Sequence, residues 1–198
     1  MRRIIVLTFV TLDGVMQAPG GPQEYTDGGF NYGGWVAPHF DERLQGIMQE
    51  QMTRPLDVLL GRKTYEIFAS YWPDHESEWP GINSVTRYVV SSTRTKPLWD
   101  NTVFVNDDAV EELRSLKQQD GPDLQVHGSS QLLQTLFKHD VVDALWLKIF
   151  PITLGTGKRL FGEGIMPAAF KLTHSEATPG GVIIVSYERA GEVMTGSF

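Results

Sequence analysis

Apolar positions along the chain follow two periods that alternate from one end to the other. The run RIIVLTFV at residues 3–10 is rich in β-branched side chains and predicts a buried strand. Between His39 and Met52, apolar residues recur at helical spacing and predict a helix. Further predicted strands are residues 57–61, 86–93, 102–105, 123–128 and 141–150. Further predicted helices are residues 63–71, a segment capped by Asp107, and a segment capped by Ser129 or Ser130.

This alternation of strands and helices is typical of a parallel sheet with crossover helices. The segment FKLTHSEAT (residues 170–178), the turn Pro179-Gly180-Gly181 and the segment VIIVSYER (residues 182–189) predict a terminal hairpin. Such a hairpin adds an antiparallel edge to the sheet. We therefore expect a single α/β domain over residues 1–198. In sheets of this class, ligands bind outside the carboxyl ends of the strands.

One stretch has no clear period: the glycine-rich segment QAPGGPQEYTDGGFNYGGW at residues 17–35. It is too long for a simple turn, and loops of this kind in compact domains are usually functional lids or mobile segments. We expect it to lie over a substrate pocket, with Trp35 near the substrate. Trp72 and Trp79, each followed by proline, are assigned to the sheet edge or a subunit contact.

Composition narrows the functional classes. The absence of cysteine excludes disulfides, thiol nucleophiles and cysteine metal sites, and it suits a cytoplasmic location. The formal net charge of -7 argues against a nucleic-acid binder. No stretch reaches the apolar length of a transmembrane helix, so we expect no membrane partner. The five histidines have no paired metal-binding spacing, and no metal is predicted.

Three predicted strand exits share one chemistry. They are Gly61-Arg62-Lys63-Thr64, Ser91-Ser92-Thr93-Arg94, and His127-Gly128-Ser129-Ser130-Gln131. Glycine allows close approach of a ligand, while hydroxyls and free helix N–H groups bind phosphate oxygens. Arginine adds bidentate phosphate contacts. Together these exits predict an edge that binds the phosphates of a dinucleotide.

Each exit also has a purely structural interpretation. Ser129 or Ser130 caps a helix, SSTRTK is a polar loop, and Arg62 and Lys63 begin a solvated helix. Cations at a helix N-terminus oppose the helix dipole, however, so their placement favours an anion that joins them. The segment GTGKRLFG (residues 155–162) lacks the third glycine of the Rossmann fingerprint, and the phosphate loop of nucleotide triphosphatases is absent.

The segments TFVTLDGVM, DVLLGRKTYEIFASYWP, YVVSST, VHGSSQLLQTL and PITLGTGKRLF occur in this order along the chain. In this order and spacing they resemble the reductase domain of the bifunctional riboflavin-biosynthesis deaminase-reductases. They resemble its stand-alone dihydrofolate-reductase-like relatives most of all. The resemblance covers nearly the whole chain. It implies a three-layer α/β/α fold of the dihydrofolate-reductase type that binds NADPH across the carboxyl edge of the sheet, and a homodimer.

The resemblance also implies positions for the cofactor. Gly61 to Thr64 would lie at the pyrophosphate and the adenosine phosphates, and Ser91 to Arg94 near the adenosine 2′-phosphate. Gly128 to Gln131 would hold the other side of the pyrophosphate. Leu154 and Gly155 would line the nicotinamide half.

The implied reaction is hydride transfer from NADPH to a C=N or C=O carbon of a small, pteridine- or pyrimidine-like molecule. The riboflavin enzymes act on 5-amino-6-(5-phosphoribosylamino)uracil, but they lack the segment at residues 17–35, so the substrate stays open. Asp13 matches the family's acidic residue near the hydride-transfer site; it could bind substrate, assist protonation, or simply cap its turn with Gly14. Asp41 is a second candidate acid, although its spacing from the preceding proline does not match the folate-reductase motif.

Two other classes remain open. A nucleotide-binding module of the same fold, without turnover, is the main alternative. A serine hydrolase that uses Ser129 is a weaker one, because VHGSSQ lacks the second glycine of G-x-S-x-G and no motif ties a histidine to the serine. The zinc-deaminase signature is absent.

Overall fold

The structure is a computed structural model and describes residues 1–106 and 108–197. Its elements alternate along the chain as the sequence predicts. The strands are β1 (Ile4–Thr11), β2 (Leu56–Gly61), β3 (Arg87–Val90), β4 (Thr102–Val105), β5 (Asp123–Gly128), β6 (Ala144–Phe150), β7 (Phe170–Ala177) and β8 (Ile183–Arg189). The helices are α1 (Glu42–Met52), α2 (Arg62–Tyr71), α3 (Ala109–Gln118) and α4 (Ser130–Lys138).

In the described residues these strands form one sheet in the order β4-β3-β2-β5-β1-β6-β8-β7. All neighbouring pairs from β4 to β6 are parallel. Strand β8 runs antiparallel to both β6 and β7. The predicted mostly parallel sheet with an antiparallel C-terminal hairpin is therefore confirmed.

Helices cover both faces of this sheet, which makes three layers. On one face, α3 and α4 pack apolar side chains against alternate residues of β1, β2 and β5. That core includes Val6, Leu59, Val126, Leu113, Leu133 and Leu136. On the other face, α1 and α2 form two separate cores. One includes Leu44, Ile47, Phe150 and Ile184, and the other Val58, Leu60, Tyr65 and Trp79. The gap between α1 and α2 leaves room for a ligand.

Some element boundaries differ from prediction for local reasons. Helix α1 begins after Asp41, because the Asp41 carboxylate accepts the Leu44 N–H at 2.8 Å and caps the helix there. Strand β3 ends at Val90, because the Ser91 hydroxyl accepts the Arg94 N–H at 2.9 Å and turns the chain.

The N-caps of the last two helices also differ from prediction. Helix α3 is capped by Asp108, whose carboxylate accepts the Glu111 N–H at 3.3 Å, whereas Asp107 lies outside the described residues. Helix α4 follows Ser129, but the Ser129 side chain makes no capping hydrogen bond. Within the described part of the chain, no helix has the length and apolar character needed to cross a membrane.

Candidate active site

Helices α2 and α4 begin side by side because β2 and β5 are neighbours, with Leu60 paired to Gly128. A Cβ on Gly61 would lie 3.1 Å from the Ser129 N, and one on Gly128 would lie 2.7 Å from the Thr64 hydroxyl. Only glycine therefore permits this approach. In the part of the chain that the structure describes, neither helix has a side-chain cap at its start. Two sets of free N–H groups thus lie at one edge, where they favour an anion.

Three cations meet at a single carboxylate beside these helix starts. Glu66 of α2 lies 3.1 Å from Arg62, 3.7 Å from Lys63 and 3.0 Å from Arg94. Burial alone raises the pKa of Glu66, but hydrogen bonds from Arg94 and Arg62 outweigh it and hold that pKa below its usual value. Glu66 neutralises only one of the three positive charges, so the group retains a surplus that an anion can neutralise. We call Arg62, Lys63, Glu66 and Arg94 the cation edge.

The remaining strand exit, Ser91 to Arg94, reaches this edge through its turn. The Ser91 hydroxyl accepts the N–H groups of Thr93, at 3.3 Å, and Arg94, at 2.9 Å. This turn directs the Arg94 guanidinium back to Glu66. The Arg94 Nε is buried and has no hydrogen-bond partner among the described residues. An unfilled donor at such a place is consistent with a ligand acceptor.

Next to the edge lies a cleft of about 1020 Å³ between α1 and α2. The volume is at the upper end of the range for small-molecule sites, about 300–1,000 Å³. Five of the predicted site residues line it, namely Lys63, Thr64, Gly128, Ser129 and Ser130. The other predicted site residues do not line it; they are Asp13, Trp35, Gly61, Arg62, Ser91, Ser92, Thr93, Arg94, Gln131, Leu154 and Gly155.

Aromatic side chains form much of the cleft wall, and they are not the ones expected. Phe68, Trp72 and Trp79 line the cleft. Trp35, the tryptophan that we expected near the substrate, is buried, donates from its indole N–H to the Gln17 carbonyl at 2.8 Å and packs edge-on against Phe150. It supports the wall from behind.

The floor of the cleft contains a buried lysine that the sequence analysis missed. Lys148 of β6 is fully buried, and its Nζ donates to the Gln51 side-chain oxygen. Burial lowers the pKa of Lys148 to about 7. Gln51 is held in turn by Gln125, whose amide donates to the Gln51 carbonyl at 3.0 Å. That carbonyl has no helical partner because Pro55, four residues later, has no N–H.

A second titratable group, His127 of β5, also lines the cleft. Its ring centroid lies 5.8 Å from that of Phe68 and 5.1 Å from that of Trp79. Burial, assisted by the positive charge of Lys148, lowers the pKa of His127 to about 3, so the imidazole is neutral. Its Nε2 is buried and has no hydrogen-bond partner within residues 1–106 and 108–197.

The glycine-rich segment forms one wall of the cleft, with residues 17–25 in the lining. The Gln17 side chain donates to the carbonyls of Tyr25, at 3.0 Å, and Asp27, at 2.9 Å, and accepts the Lys158 N–H at 3.0 Å. Glu24 in this wall accepts the N–H of Gly20 at 2.6 Å. Burial nevertheless raises the pKa of Glu24 above its usual value.

Asp13 lies outside the cleft and joins two turns. Its carboxylate accepts the Thr11 hydroxyl at 2.6 Å and the N–H groups of Leu154, at 3.2 Å, and Gly155, at 2.8 Å. These bonds, that of Thr11 foremost, lower the pKa of Asp13. Asp41, the second candidate acid, caps α1 and accepts the Gly180 N–H at 2.7 Å.

The residues that sequence reasoning missed differ in whether the sequence carries a signal for them. Glu66 stands four residues after Arg62, a helical ion-pair spacing that could have been found. Lys148 and Glu24 carry no such signal, because their burial depends on segments far away in sequence. Among the described residues, no group of three or more potential metal-ligating side chains could hold a metal ion.

Comparison with known proteins identifies relatives of this chain. The family model of the RibD C-terminal domain matches residues 2–184. The chain is 28% identical to the uncharacterised protein YyaP of Bacillus subtilis over 196 residues, which is 96% of both chains.

Solved structures agree with that match. A protein of Shewanella sp. PV-4 described as a riboflavin biosynthesis protein has a TM-score of 0.67 and 24% identity, covering 95% of this chain and 99% of that one. The dihydrofolate reductase of Enterococcus faecalis, solved with NADP(H), has a TM-score of 0.61 and 14% identity, covering 94% and 96%. The expected dihydrofolate-reductase-like fold is confirmed.

Proposed function

Because the chain belongs to the RibD C-terminal domain family, we propose that it is an oxidoreductase that transfers a hydride from NADPH to a C=N or C=O carbon of a small molecule. One observation carries the proposal: two uncapped helix starts and three cations converge at one edge of the sheet, directly beside an aromatic cleft. An anionic dinucleotide with a flat reactive ring fits both parts.

The residues at the edge fit the phosphates of such a cofactor. Arg62, Lys63 and Arg94 supply positive charge, and the glycines at positions 61 and 128 let a ligand approach the backbone. The Arg94 Nε is buried and has no partner among the described residues, so it is a donor that a 2′-phosphate could accept. NADPH, when bound, supplies the hydride. The dihydrofolate reductase of Enterococcus faecalis was itself solved with NADP(H).

Within the cleft, this chain's own residues would exclude water, orient the substrate and supply a proton. The aromatic walls exclude water from the reacting carbon. We assign Glu24 as proton donor, because this residue lines the cleft and burial raises the pKa of its carboxyl. We assign Asp13 a positioning role, because its pKa is lowered and it holds the N–H groups of Leu154 and Gly155.

Cofactor binding tests this proposal. Trp72 and Trp79 line the cleft, so quenching of tryptophan fluorescence reports NADPH binding to the full chain. We expect NADPH to bind more tightly than NADH. Replacement Arg94→Ala should weaken NADPH binding about tenfold and leave NADH binding unchanged. The tenfold change corresponds to the loss of about 1.4 kcal/mol from charged hydrogen bonds.

Arg114→Ala is the matched control, since Arg114 is on α3 and pairs with Glu111 at the surface. Failure of NADPH to bind at millimolar concentration would overturn the proposal. Saturable binding without oxidation by any member of a carbonyl and imine panel would instead favour a nucleotide-binding module. The structure does not favour the hydrolase alternative, because the His127 Nε2 makes no hydrogen bond to Ser129 or to any other described residue.

The finer assignments implied by the resemblance belong to the same proposal. A homodimer is expected, and light scattering on the purified chain tests it. The cytoplasm is the expected location. The uracil derivative used by the riboflavin enzymes belongs in the substrate panel, which tests whether it fits beside the wall formed by residues 17–25.

A further inference from the structure

The floor of the cleft contains a basic side chain that none of the described residues neutralises. Lys148 is fully buried and lines the cleft. None of the ion pairs in the described part of the chain includes it. Its hydrogen-bond partner there is the neutral amide of Gln51. A buried charge is normally paired, so this arrangement needs an explanation.

An ammonium group has three N–H donors, and Gln51 accepts one of them. The adjacent strands add little that could accept the others. The Phe9 ring of β1 lies 5.8 Å from the Nζ, and β8 places the apolar Ile184 beside Lys148. The next strand beyond β1 is β5, which contributes His127, and this imidazole is neutral. Lys148 and His127 both line the cleft, and both have hydrogen-bonding capacity that no described residue fills.

The other charged side chains of the cleft have partners of their own, and His127 is neutral. The set that lines it is Glu24, Tyr25, Lys63, Tyr71, Glu78, His127 and Lys158. Lys63 pairs with Glu66, Lys158 with Asp27, and Tyr71 donates to Glu78. Glu24 accepts N–H groups of its own wall. None of these groups serves as a counter-ion for Lys148.

We propose that Lys148 binds an anionic oxygen, such as a carboxylate, on a flat and largely apolar substrate, and so selects acidic substrates over neutral ones of the same shape. This inference rests on the proposed function, because the cleft is taken as the substrate site. The aromatic side chains Phe9, Phe68 and Trp79 suit a flat ring, and Lys148 is the group that can neutralise its acidic substituent.

Proton uptake is a direct consequence. Lys148 has a pKa of about 7 in the free protein, so near pH 7 it is about half protonated. A bound anion favours the ammonium form and raises that pKa. Binding should therefore take up about half a proton at pH 7, and affinity should fall as the pH rises above 7, where the amine must be protonated at increasing cost.

The test compares a naphthalene carboxylate with the matching carboxamide, which differ in charge but hardly in shape. Calorimetry on the full chain at pH 7, in two buffers of different ionisation enthalpy, gives both affinity and protons taken up. We expect the carboxylate to bind at least about tenfold more tightly and to take up about half a proton, and the carboxamide to take up none.

Replacement Lys148→Met should abolish both the preference and the proton uptake. Lys171→Met, at an exposed position of β7 outside the cleft, should preserve both. The inference is overturned if the two ligands bind equally, if the carboxylate fails to bind at millimolar concentration, or if Lys148→Met keeps the preference. A preference lost in Arg94→Ala but not in Lys148→Met would also overturn it, since the anion would then bind at the cation edge.

The outcome is separable from that of the proposed function, because no cofactor is present in this test. A chain that binds NADPH but does not prefer the carboxylate retains the reductase proposal and loses this inference. A chain that prefers the carboxylate but does not bind NADPH has an anion-binding cleft without a reductase function.

Discussion

The cation edge and the cleft floor differ in the exposure and the pairing of their positively charged side chains. At the edge, Arg62, Lys63 and Arg94 share Glu66, and their side chains are 39%, 48% and 27% exposed. On the floor, Lys148 is fully buried and has no carboxylate partner among the described residues. The cations of the edge therefore stay charged and destabilise the fold little. The charge of Lys148 on the floor depends on the pH and on a bound ligand.

The energetic consequences differ in size. Partly exposed ion pairs contribute about 0–1 kcal/mol each, since water screens them. A buried ammonium without a counter-ion destabilises the folded state by several kcal/mol, or loses its proton. Replacing a charged side chain on the floor should therefore change stability as well as ligand binding, whereas replacing one at the edge should change mainly ligand binding.

The largest effect is expected on the floor. Lys148→Met replaces a buried amine by an apolar side chain of similar length. It should stabilise the fold by about 4 kcal/mol at pH 7, less the cost of leaving the Gln51 oxygen without its donor. Chemical denaturation measures the free energy of unfolding of both proteins. A destabilised variant would show that Lys148 is not an unpaired charge, and the contrast with the edge would disappear.

The pH dependence of that gain checks its cause. The pKa of Lys148 is lowered from 10.5 to about 7 in the folded state, so between these values the unfolded chain binds more protons than the folded one. Wild-type stability should then rise with pH relative to the variant, by up to about 1.4 kcal/mol per pH unit. The advantage of Lys148→Met should thus shrink from pH 7 to pH 9. A constant difference would mean that packing, and not desolvation of a charge, is responsible.

The contrast between edge and floor also explains what the sequence could predict. The strand exits that form the edge are local motifs, so their glycines, hydroxyls and cations were recognisable, as was the order of strands and helices. Lys148 lies in an alternating strand opposite Leu145, Leu147 and Ile149, a position that is solvent-exposed when only one face of a sheet is covered. Here both faces are covered, and burial of that position is decided by α1, about a hundred residues earlier.

The same limit explains the misplaced aromatic residues. Trp35 follows the glycine-rich segment and was expected at the substrate, whereas Trp72 and Trp79 line the cleft. Trp35 is held away from the cleft by its packing against Phe150 and its hydrogen bond to Gln17. The contact with Phe150 joins distant parts of the chain. Residue type and spacing carry no information about them.

An intermediate effect is expected where the edge is built from close backbone contact. In Gly61→Ala the new methyl group would meet the Ser129 side chain and would lie 3.1 Å from the Ser129 N. We expect a loss of about 2 kcal/mol in stability and loss of NADPH binding, because the starts of α2 and α4 must separate. Gly46→Ala is the matched control: Gly46 lies within α1 with open space around its Cβ position, so alanine should stabilise by about 0.5–1 kcal/mol.

The smallest effect on stability is expected from Glu66→Gln. Glu66 is partly exposed, so loss of its three ion pairs should lower the free energy of unfolding by less than about 1 kcal/mol. Binding should respond instead. Without the carboxylate the edge holds three unneutralised cations, and the affinity for NADPH should fall more steeply with added salt. Glu112→Gln on the surface of α3 should change neither quantity. A loss above about 2 kcal/mol in the free energy of unfolding would show that Glu66 stabilises the fold as strongly as a buried group does. The edge and the floor would then differ less in energetics than in exposure.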